Sequence, residues 1–381
     1  MIKVIFFVIL GFSSNVFAYP NFILHGYNTC LTCHYNPMGN GPLNDYGRSL
    51  SAVLISDRIL HDKNISDESL GEKSGFMYTK DLHESIKPSI DYRGLYLDRD
   101  VDKNDKKSEF INMQADFNLV VLFNKANTFF TSLSYGYAPK PRSLDGEDIE
   151  TYRSREHYLG YRPNENLSFY FGMLDKTFGL KIPDHIAFSK STTYLAENDQ
   201  THGLLIHYQN ELVEIGLHPF LGNQSQKEEI RQKGISNKTE FKINDYFKPG
   251  FSLLKSESDF QSSELYSMHF KFATPKTTSF MFEFGKHTKE DLVNKIKTDQ
   301  EFLFIQNHIL ISRGQYLLLT TEYFNPNTDN DIKIIRLGPG FQYFLNQGIE
   351  LRSDLYNTKS FNPDSSSLDS WDFTAQVHLW F

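Results

Sequence analysis

Residues 371–381 read Trp371-Asp-Phe-Thr-Ala-Gln-Val-His-Leu-Trp-Phe381. Every odd position of this stretch carries an apolar side chain, whereas positions 372, 374, 376 and 378 are polar. Because successive side chains of a strand point to opposite faces, this period of two predicts a β-strand with one apolar and one polar face. Such a strand fits a sheet that keeps one side in an apolar environment and the other against polar groups.

The same alternation recurs upstream. Apolar residues occupy the odd positions over 111–123 and the even positions over 266–272 and 280–284. From about residue 85 onward the pattern gives roughly 16 strand-like segments, and bacterial outer-membrane barrels have an even number of strands. We therefore predict an all-β fold, an antiparallel transmembrane β-barrel of about 16 strands over residues 85–381.

Short and long connections alternate along this region. Short turns are predicted at 124–126, 163–166, 209–211, 248–250, 275–276, 313–314 and 347–348, and longer polar segments at 98–108, 138–150, 221–233 and 286–298. Outer-membrane barrels alternate in this way because their periplasmic turns are tight and their external loops are long, and the count assigns both chain ends to the periplasmic side. A soluble β-sandwich or propeller is the alternative, but its strands would not need so many outward aromatic side chains.

Composition agrees with a barrel. The 381 residues are 39% hydrophobic with a mean hydropathy of -0.45, too polar for a helical membrane protein, yet 15% are aromatic. A barrel combines these features because only every second strand residue faces lipid. The net charge of -8 argues against nucleic-acid binding.

The first residues predict export. Lys3 precedes an apolar run over residues 4–10, and Val16 and Ala18 form a cleavage-like pattern, so residues 1–18 are expected to be a signal peptide. The apolar run is shorter than a membrane-spanning helix requires.

Cys30, Cys33 and His34 form a C-x-x-C-H motif, and the sequence contains no other cysteine. This is the attachment motif of c-type haem. The spacing lets both sulfurs reach one edge of the porphyrin, where they add across the vinyl groups, and His34 then supplies the proximal nitrogen to iron. One covalent haem c is therefore predicted.

Other uses of the two cysteines have less support. They could form a disulfide or a redox dithiol, but a thioredoxin-like pair begins a helix within a βαβ pattern, and nothing in the sequence resembles one. A structural zinc usually takes four protein ligands, often in two paired sets. Only one such set is present.

Residues 19–60 are predicted to form the haem-binding segment, and residues 61–84 a linker to the barrel. A loop rich in Asn, Gly and Pro follows the motif, and Asn44-Asp45 is expected to cap a helix over Tyr46–Leu60. About 40 residues are too few for an independent cytochrome core. The segment must therefore use the haem, the barrel lumen or a partner for support.

Several residues are candidates for the sixth iron ligand. A methionine would raise the potential and a histidine would keep it lower. His185 and His25 are the main candidates, and Asp184 would orient the His185 imidazole as its hydrogen-bond partner. Met38 is too close to His34 to reach the opposite haem face easily, and His25 has a similar difficulty. Further candidates are His61, His83, His207 and His269, and an open site is also an alternative.

The longest connection, residues 175–200, is the third long one in the count. In porins the third loop often folds inward and narrows the pore. An ordinary exposed loop is the alternative, since long loops are often but not always functional.

The N-terminal motif also carries a resemblance to a known group. The residues concerned are Cys30–Gly41, Leu43–Arg48, Phe178-Gly179-Leu180 and Pro183-Asp184-His185. They resemble bacterial outer-membrane barrels that carry one N-terminal c-type haem motif, and an alternating last strand ending on Phe381 is similar to the recognition signal of outer-membrane barrels. The resemblance implies a cytochrome–porin fusion in the outer membrane.

Two functional classes follow. The first is a monohaem c-type cytochrome–porin fusion, not an enzyme, that takes part in electron transfer at the outer membrane with periplasmic cytochromes as partners. The alternative is a porin or transporter whose haem is structural, sensory or ligand-binding. A haem peroxidase would need a distal base beside an open iron site, and no local motif of that kind is visible.

The motif predicts covalent haem at Cys30 and Cys33. Expressed in a host competent for c-type maturation, the mature chain should exceed its polypeptide mass by one haem, because each thiol forms a thioether bond. Intact-mass measurement of the wild type and of the double substitution Cys30→Ser/Cys33→Ser checks this. A wild-type mass equal to that of the bare chain contradicts the prediction.

Overall fold

A computed structural model describes residues 20–381 except 40, 63, 80–82, 102–106, 125–127, 138–150, 185, 197 and 364–366. The expected signal peptide, residues 1–18, lies outside the described residues. So does His185, the first candidate for the sixth ligand.

One antiparallel sheet of seventeen strands dominates the described part of the chain. The strands are β1 Ile86–Arg99, β2 Lys107–Leu122, β3 Phe129–Tyr137, β4 Tyr152–Arg153, β5 His157–Tyr161, β6 Leu167–Leu174, β7 Thr201–Gln209, β8 Val213–Gly222, β9 Lys233–Phe241, β10 Phe247–Glu257, β11 Gln261–Thr274, β12 Thr278–Asp291, β13 Ile296–Ser312, β14 Gln315–Asn325, β15 Lys333–Asn346, β16 Ile349–Phe361 and β17 Ser367–Trp380.

The sheet closes on itself. Apart from β4 and β5, each strand pairs with its neighbours in sequence, and β17 returns to pair with β1 from Asp91 opposite Trp380 to Asp98 opposite Phe373. Both β4 and β5 pair with β3, so together they occupy one place in the wall. The result is a closed barrel of sixteen strand positions, which confirms the predicted fold class.

The alternating pattern sorts side chains between lumen and exterior as predicted. On β11, Ser267, His269 and Lys271 are buried in the lumen, while Tyr266 and Met268 are exposed on the outer face. An outer face of this composition suits lipid, and an inner face of polar groups must find its partners inside the barrel.

Of the predicted connections, the segment 138–150, most of the turn 124–126 and residues 102–106 of the segment 98–108 lie outside the described residues. The connections that are described alternate between short and long as expected, with two corrections. Lys248-Pro249-Gly250, predicted as a turn, lies within β10, and the turn is at residues 242–246. Proline fixes φ at a value that an extended strand tolerates, and it removes only one backbone hydrogen-bond donor. It therefore does not by itself end a strand.

The second correction concerns residues 286–298, predicted as a long polar loop. They belong mostly to β12 and β13, which pair from Thr278 opposite Ile309 to Asp291 opposite Ile296. Polarity was a poor guide here because strand residues beyond the apolar band need no apolar side chains.

The N-terminal part of the chain forms short helices. They are α1 Pro20–Ile23, α2 Asp45–Leu50 and α3 Asp67–Glu72, with a π-helical turn at Ser51–Ile55 and 3₁₀ turns at Cys30–Thr32 and Phe76–Tyr78. The Asn44 side chain accepts a hydrogen bond from the Gly47 N–H and caps α2 as predicted. The helical stretch ends at Ile55, short of the expected Leu60. None of the helices in the described ranges is long and apolar enough to cross a membrane.

This N-terminal part lies inside the barrel. Ile23, Leu24 and Ile55 form one buried cluster with wall residues Ala273, Tyr316, Leu318 and Phe344. Backbone contacts add to it. The Lys276 N–H donates to the Leu24 carbonyl, and the Asp57 N–H donates to the Phe344 carbonyl. Lys276 lies in a short turn, so the segment fills the end of the lumen that carries the short turns. We call residues 20–78 the plug.

Barrel closure predicts that Phe381 matters for assembly. Its N–H and carbonyl exchange hydrogen bonds with Ile90 at 3.0 and 2.9 Å, extending the β17–β1 seam. Deleting Phe381 should lower the yield of the compact, heat-modifiable form on unheated gels. Deleting Asn330, in the connection between β14 and β15, is the control and should have little effect. Equal yields for the two deletions would count against a role of this residue in closure.

Candidate haem site in the lumen

The C-x-x-C-H motif forms a tight turn within the plug. The N–H groups of Cys33 and His34 both donate to the Cys30 carbonyl, at 3.1 and 2.9 Å. The Cys33 carbonyl accepts from Asn44 N–H at 2.8 Å, which joins the motif to the start of α2. A Cβ on Gly47 would lie 2.3 Å from the Cys33 carbonyl oxygen, so only glycine permits this close approach.

The His34 ring is oriented for metal binding through one nitrogen. Its Nδ1 lies 3.2 Å from the Gly41 carbonyl oxygen, which can only accept. Nδ1 therefore carries the proton, and the lone pair is on Nε2. Metal-binding histidines commonly donate their second ring N–H in this way, and the bond fixes both tautomer and ring orientation.

Both cysteines and His34 line the same cavity, whose volume is about 210 Å³. Its walls come from three sources: the plug, the inner face of the barrel and the long connection after β6. Two thiols and an imidazole on one cavity are the donor set that a covalent haem needs.

The thiols suit this use better than the alternatives. Both cysteines are free thiols rather than a disulfide. Burial raises the pKa of the Cys33 thiol to about 12, and the neighbouring Cys30 adds to the shift. Redox dithiols instead depend on a lowered thiol pKa. Among the described residues, no group of three or more His, Cys, Asp or Glu side chains is placed to hold a metal ion such as zinc.

The connection over residues 175–200 folds into the lumen, so the inward-folding expectation is confirmed. It leaves β6 and crosses the lumen: the Thr177 N–H donates to Ser236 on β9 at 3.1 Å, and Phe188 N–H donates to Glu322 on β14 at 2.6 Å. A short helix, α4 Phe188–Ser191, lies within it. We call residues 175–200 the inward loop.

Asp184 is anchored to the far wall. Its Oδ2 accepts from the Tyr356 hydroxyl at 3.1 Å and lies 3.3 Å from an Arg352 guanidinium nitrogen, both on β16. These contacts tie the inward loop to β16, six strand positions from β6 around the wall. Orientation of His185 by Asp184 stays a prediction, since His185 is outside the described residues.

The other candidate ligands lie in different places. Burial lowers the pKa of His25, and the nearby Lys276 and Arg313 lower it further. Their proximity locates His25 near the short turns. Met38 belongs to a cluster with Tyr35 and the wall residues Leu174 and Leu205.

His207 and His269 form pairs with buried carboxylates on the barrel wall. His207 Nε2 lies 3.0 Å from Glu214, and His269 Nε2 lies 3.2 Å from Glu240. The sequence argument also missed residues that line the cavity, His378 and Met281 among them. The polar face of β17 already pointed to His378 as a lumen residue, but nothing local identified Met281.

Comparisons with known proteins support the fold. No protein-family model matches the sequence, and a search of curated proteins finds no match. Solved structures do match. The anion-selective porin from Comamonas acidovorans aligns with a TM-score of 0.60 at 7% identity, over 78% of this chain and 99% of that one.

Two further structures agree with it. OprB of Pseudomonas putida gives a TM-score of 0.61 at 8% identity, over 78% of this chain and 94% of that one. A loop-deletion mutant of OmpT, an outer membrane protein of Vibrio cholerae, gives 0.59 at 10% identity, over 78% and 99%. The barrel therefore has the fold of outer-membrane porins.

A substitution at Gly179 tests how closely the inward loop packs against the barrel wall. Its φ is +57°, and a Cβ there would lie 1.8 Å from the Glu283 Oε1 atom on β12. Gly179→Ala should therefore destabilise the folded protein through backbone strain, of order 1–3 kcal/mol. It should also displace the inward loop from the wall. Gly26→Ala is the matched control, because Gly26 also has a positive φ but has open space around it.

Thermal unfolding in detergent and protease sensitivity of the inward loop measure the two effects. Gly179→Ala should unfold at lower temperature than Gly26→Ala and be cut more readily in the loop. Indistinguishable behaviour of the two variants would show that the loop is not held against Glu283.

Proposed function

We propose that this chain is an outer-membrane barrel of porin type, closed by its own plug, in which one covalent haem c is a structural part of the closure. The observation that carries the proposal is the shared cavity: Cys30, Cys33 and His34 all face a space bounded by the plug, the wall and the inward loop. Both chain ends would lie on the periplasmic side, and the outer face would contact lipid.

Packing of the plug supports closure rather than an open pore. Lys248 on β10 contacts Glu214 and Glu240 on the wall and donates to the Asn28 carbonyl of the plug at 3.0 Å. Arg162 donates to the Tyr35 carbonyl at 2.6 Å. A hydrogen bond from a charged donor typically contributes about 1.5–3 kcal/mol, so the bonds to the Asn28 and Tyr35 carbonyls oppose release of the plug.

The haem would be held by the residues of the motif. Cys30 and Cys33 would bind it through thioether bonds, and His34 would bind iron through Nε2. When bound, the group supplies a redox-active iron and a large apolar surface. The plug alone is too small to bury that surface, whereas the cavity also has walls from the barrel and from Leu180 and Ile182 of the inward loop.

Electron transfer with periplasmic cytochromes is the second candidate, and one observation favours it. Tyr27 lines the cavity, and its hydroxyl lies 2.9 Å from that of Tyr46, whose side chain is 51% exposed. Tyr46 follows Asp45, which pairs with Lys87 at the start of β1, at the short-turn end. The cavity thus lies close behind an exposed aromatic pair that a redox partner could contact.

The structural role predicts the conductance. The haem-loaded wild type should give small single-channel currents in planar bilayers, because plug and loop fill the lumen. The double variant Cys30→Ser/Cys33→Ser should give several-fold larger currents or larger current fluctuations. It should also unfold at a lower temperature than the wild type. Wild-type chain made without c-type maturation is the control that separates loss of haem from loss of the thiols.

Two results would overturn this proposal. Equal conductance and equal thermal stability with and without haem would remove its structural role. If the haem also exchanges electrons reversibly with a periplasmic cytochrome, the electron-transfer candidate replaces it.

A further inference from the structure

We propose that Met281 supplies the sixth ligand to the iron, on the haem face turned away from His34. The inference rests on the proposed haem at Cys30 and Cys33. It assigns a role to a residue on the barrel wall. It also gives the inward loop a role, because the loop packs against Met281.

The first argument is the location of Met281 across the cavity. His34 is bonded to the Gly41 carbonyl, and a Cβ on Gly41 would lie 2.7 Å from Glu156, between β4 and β5. β4 and β5 share the fourth of the sixteen strand positions, whereas β12, which carries Met281, occupies the eleventh. The two lie almost half the circumference apart, and both Met281 and His34 face the same cavity.

The second argument is the way Met281 is held. Its side chain is 2% exposed and clusters with Leu180 and Ile182 of the inward loop and Phe304 of β13. On β11 its cross-strand partner is Lys271, which lines the same cavity as Cys30. Met281 is thus a packed thioether near the motif, and a thioether is an established axial ligand of haem iron.

The other nitrogen donors on the cavity are engaged elsewhere. Lys238 and Lys271 both contact the Glu240 carboxylate, at 3.2 and 2.5 Å. His378 has Glu350 at 3.1 Å from Nδ1, and both Asp91 at 3.3 Å and Arg93 at 3.5 Å from Nε2. Other side chains of the wall thus already contact both of its ring nitrogens.

This ligand would make the iron a link between two parts of the molecule. His34 belongs to the plug and Met281 to the wall, so the iron joins them. Both axial positions would be filled, which excludes an open site that binds an exogenous ligand. The inward loop would then serve to pack Met281 in place rather than to select a solute.

The test uses the full chain, loaded with haem and purified in detergent. The substitutions are Met281→Leu, which conserves volume, and Met38→Leu as a matched control on a buried methionine of the plug. Haem content is measured by pyridine haemochrome, spin state by absorbance and electron paramagnetic resonance, and potential by redox titration. Gel heat-modifiability reports folding.

Met281→Leu should keep one haem per chain, convert the spectrum from low-spin to high-spin and lower the midpoint potential. Met281→His should restore a low-spin spectrum at a lower potential than the wild type, and it keeps the test available if the leucine variant does not fold. Met38→Leu should leave spectrum and potential unchanged.

Other outcomes reject the inference. A low-spin spectrum unchanged by Met281→Leu removes Met281 from the iron, and a spectrum altered by His185→Ala instead assigns the ligand to His185. A high-spin spectrum of the wild type would show that no side chain of this kind is the sixth ligand of the iron. A wild type without haem rejects the proposed function itself, and haem content distinguishes that result from the others.

Discussion

Closure of the β17–β1 seam is the constraint on which the rest of this structure depends. A backbone N–H or C=O left unpaired in an apolar medium costs several kcal/mol, so a sheet with an apolar outer face must have no free edge. The pairing of Asp91–Asp98 with Phe373–Trp380 removes the last edge. It also converts the inner face of all sixteen positions into a single enclosed surface, and that surface is polar.

An enclosed polar surface must satisfy its own charges. Glu240 shows how this is done: it is buried between Lys238, Lys248 and Lys271, and His269 donates to it as well. Buried ion pairs repay their desolvation only when geometry and additional hydrogen bonds are good. The plug takes part in this network through Asn28, so the wall and the plug stabilise each other.

The candidate site is a consequence of the same enclosure. The motif has too little chain around it to bury a porphyrin. Inside the barrel, strands on opposite sides form the remaining walls of the cavity. The inward loop completes the enclosure because Gly179 lets it lie against Glu283, and Arg352 holds Asp184 on the far strand. The candidate haem site and the closed lumen therefore depend on one set of contacts.

Some features were predictable because they are local. The alternation over 371–381 and its repeats predict strands, their faces and a barrel, since the period of two is a property of each strand alone. The spacing of Cys30, Cys33 and His34 predicts haem attachment from three residues that lie within one turn of chain, and this stays a prediction. The Asn44 cap could be predicted for the same reason.

Other local signals misplaced strand ends. Pro249 and Gly250 predicted a turn but lie within β10, and polar residues extend β12 and β13 because cross-strand pairing holds them in the strand beyond the apolar band.

The sequence by itself determined the strand pattern, the barrel class and the residues of the motif, because each is set by neighbours a few residues apart. Only the tertiary structure decided that the plug enters the lumen, that the inward loop reaches β16 and that Met281 faces the same cavity as His34. These facts depend on which strands stand opposite each other across the closed barrel. Side chains hundreds of residues apart meet there, and no local pattern along the chain records that distance.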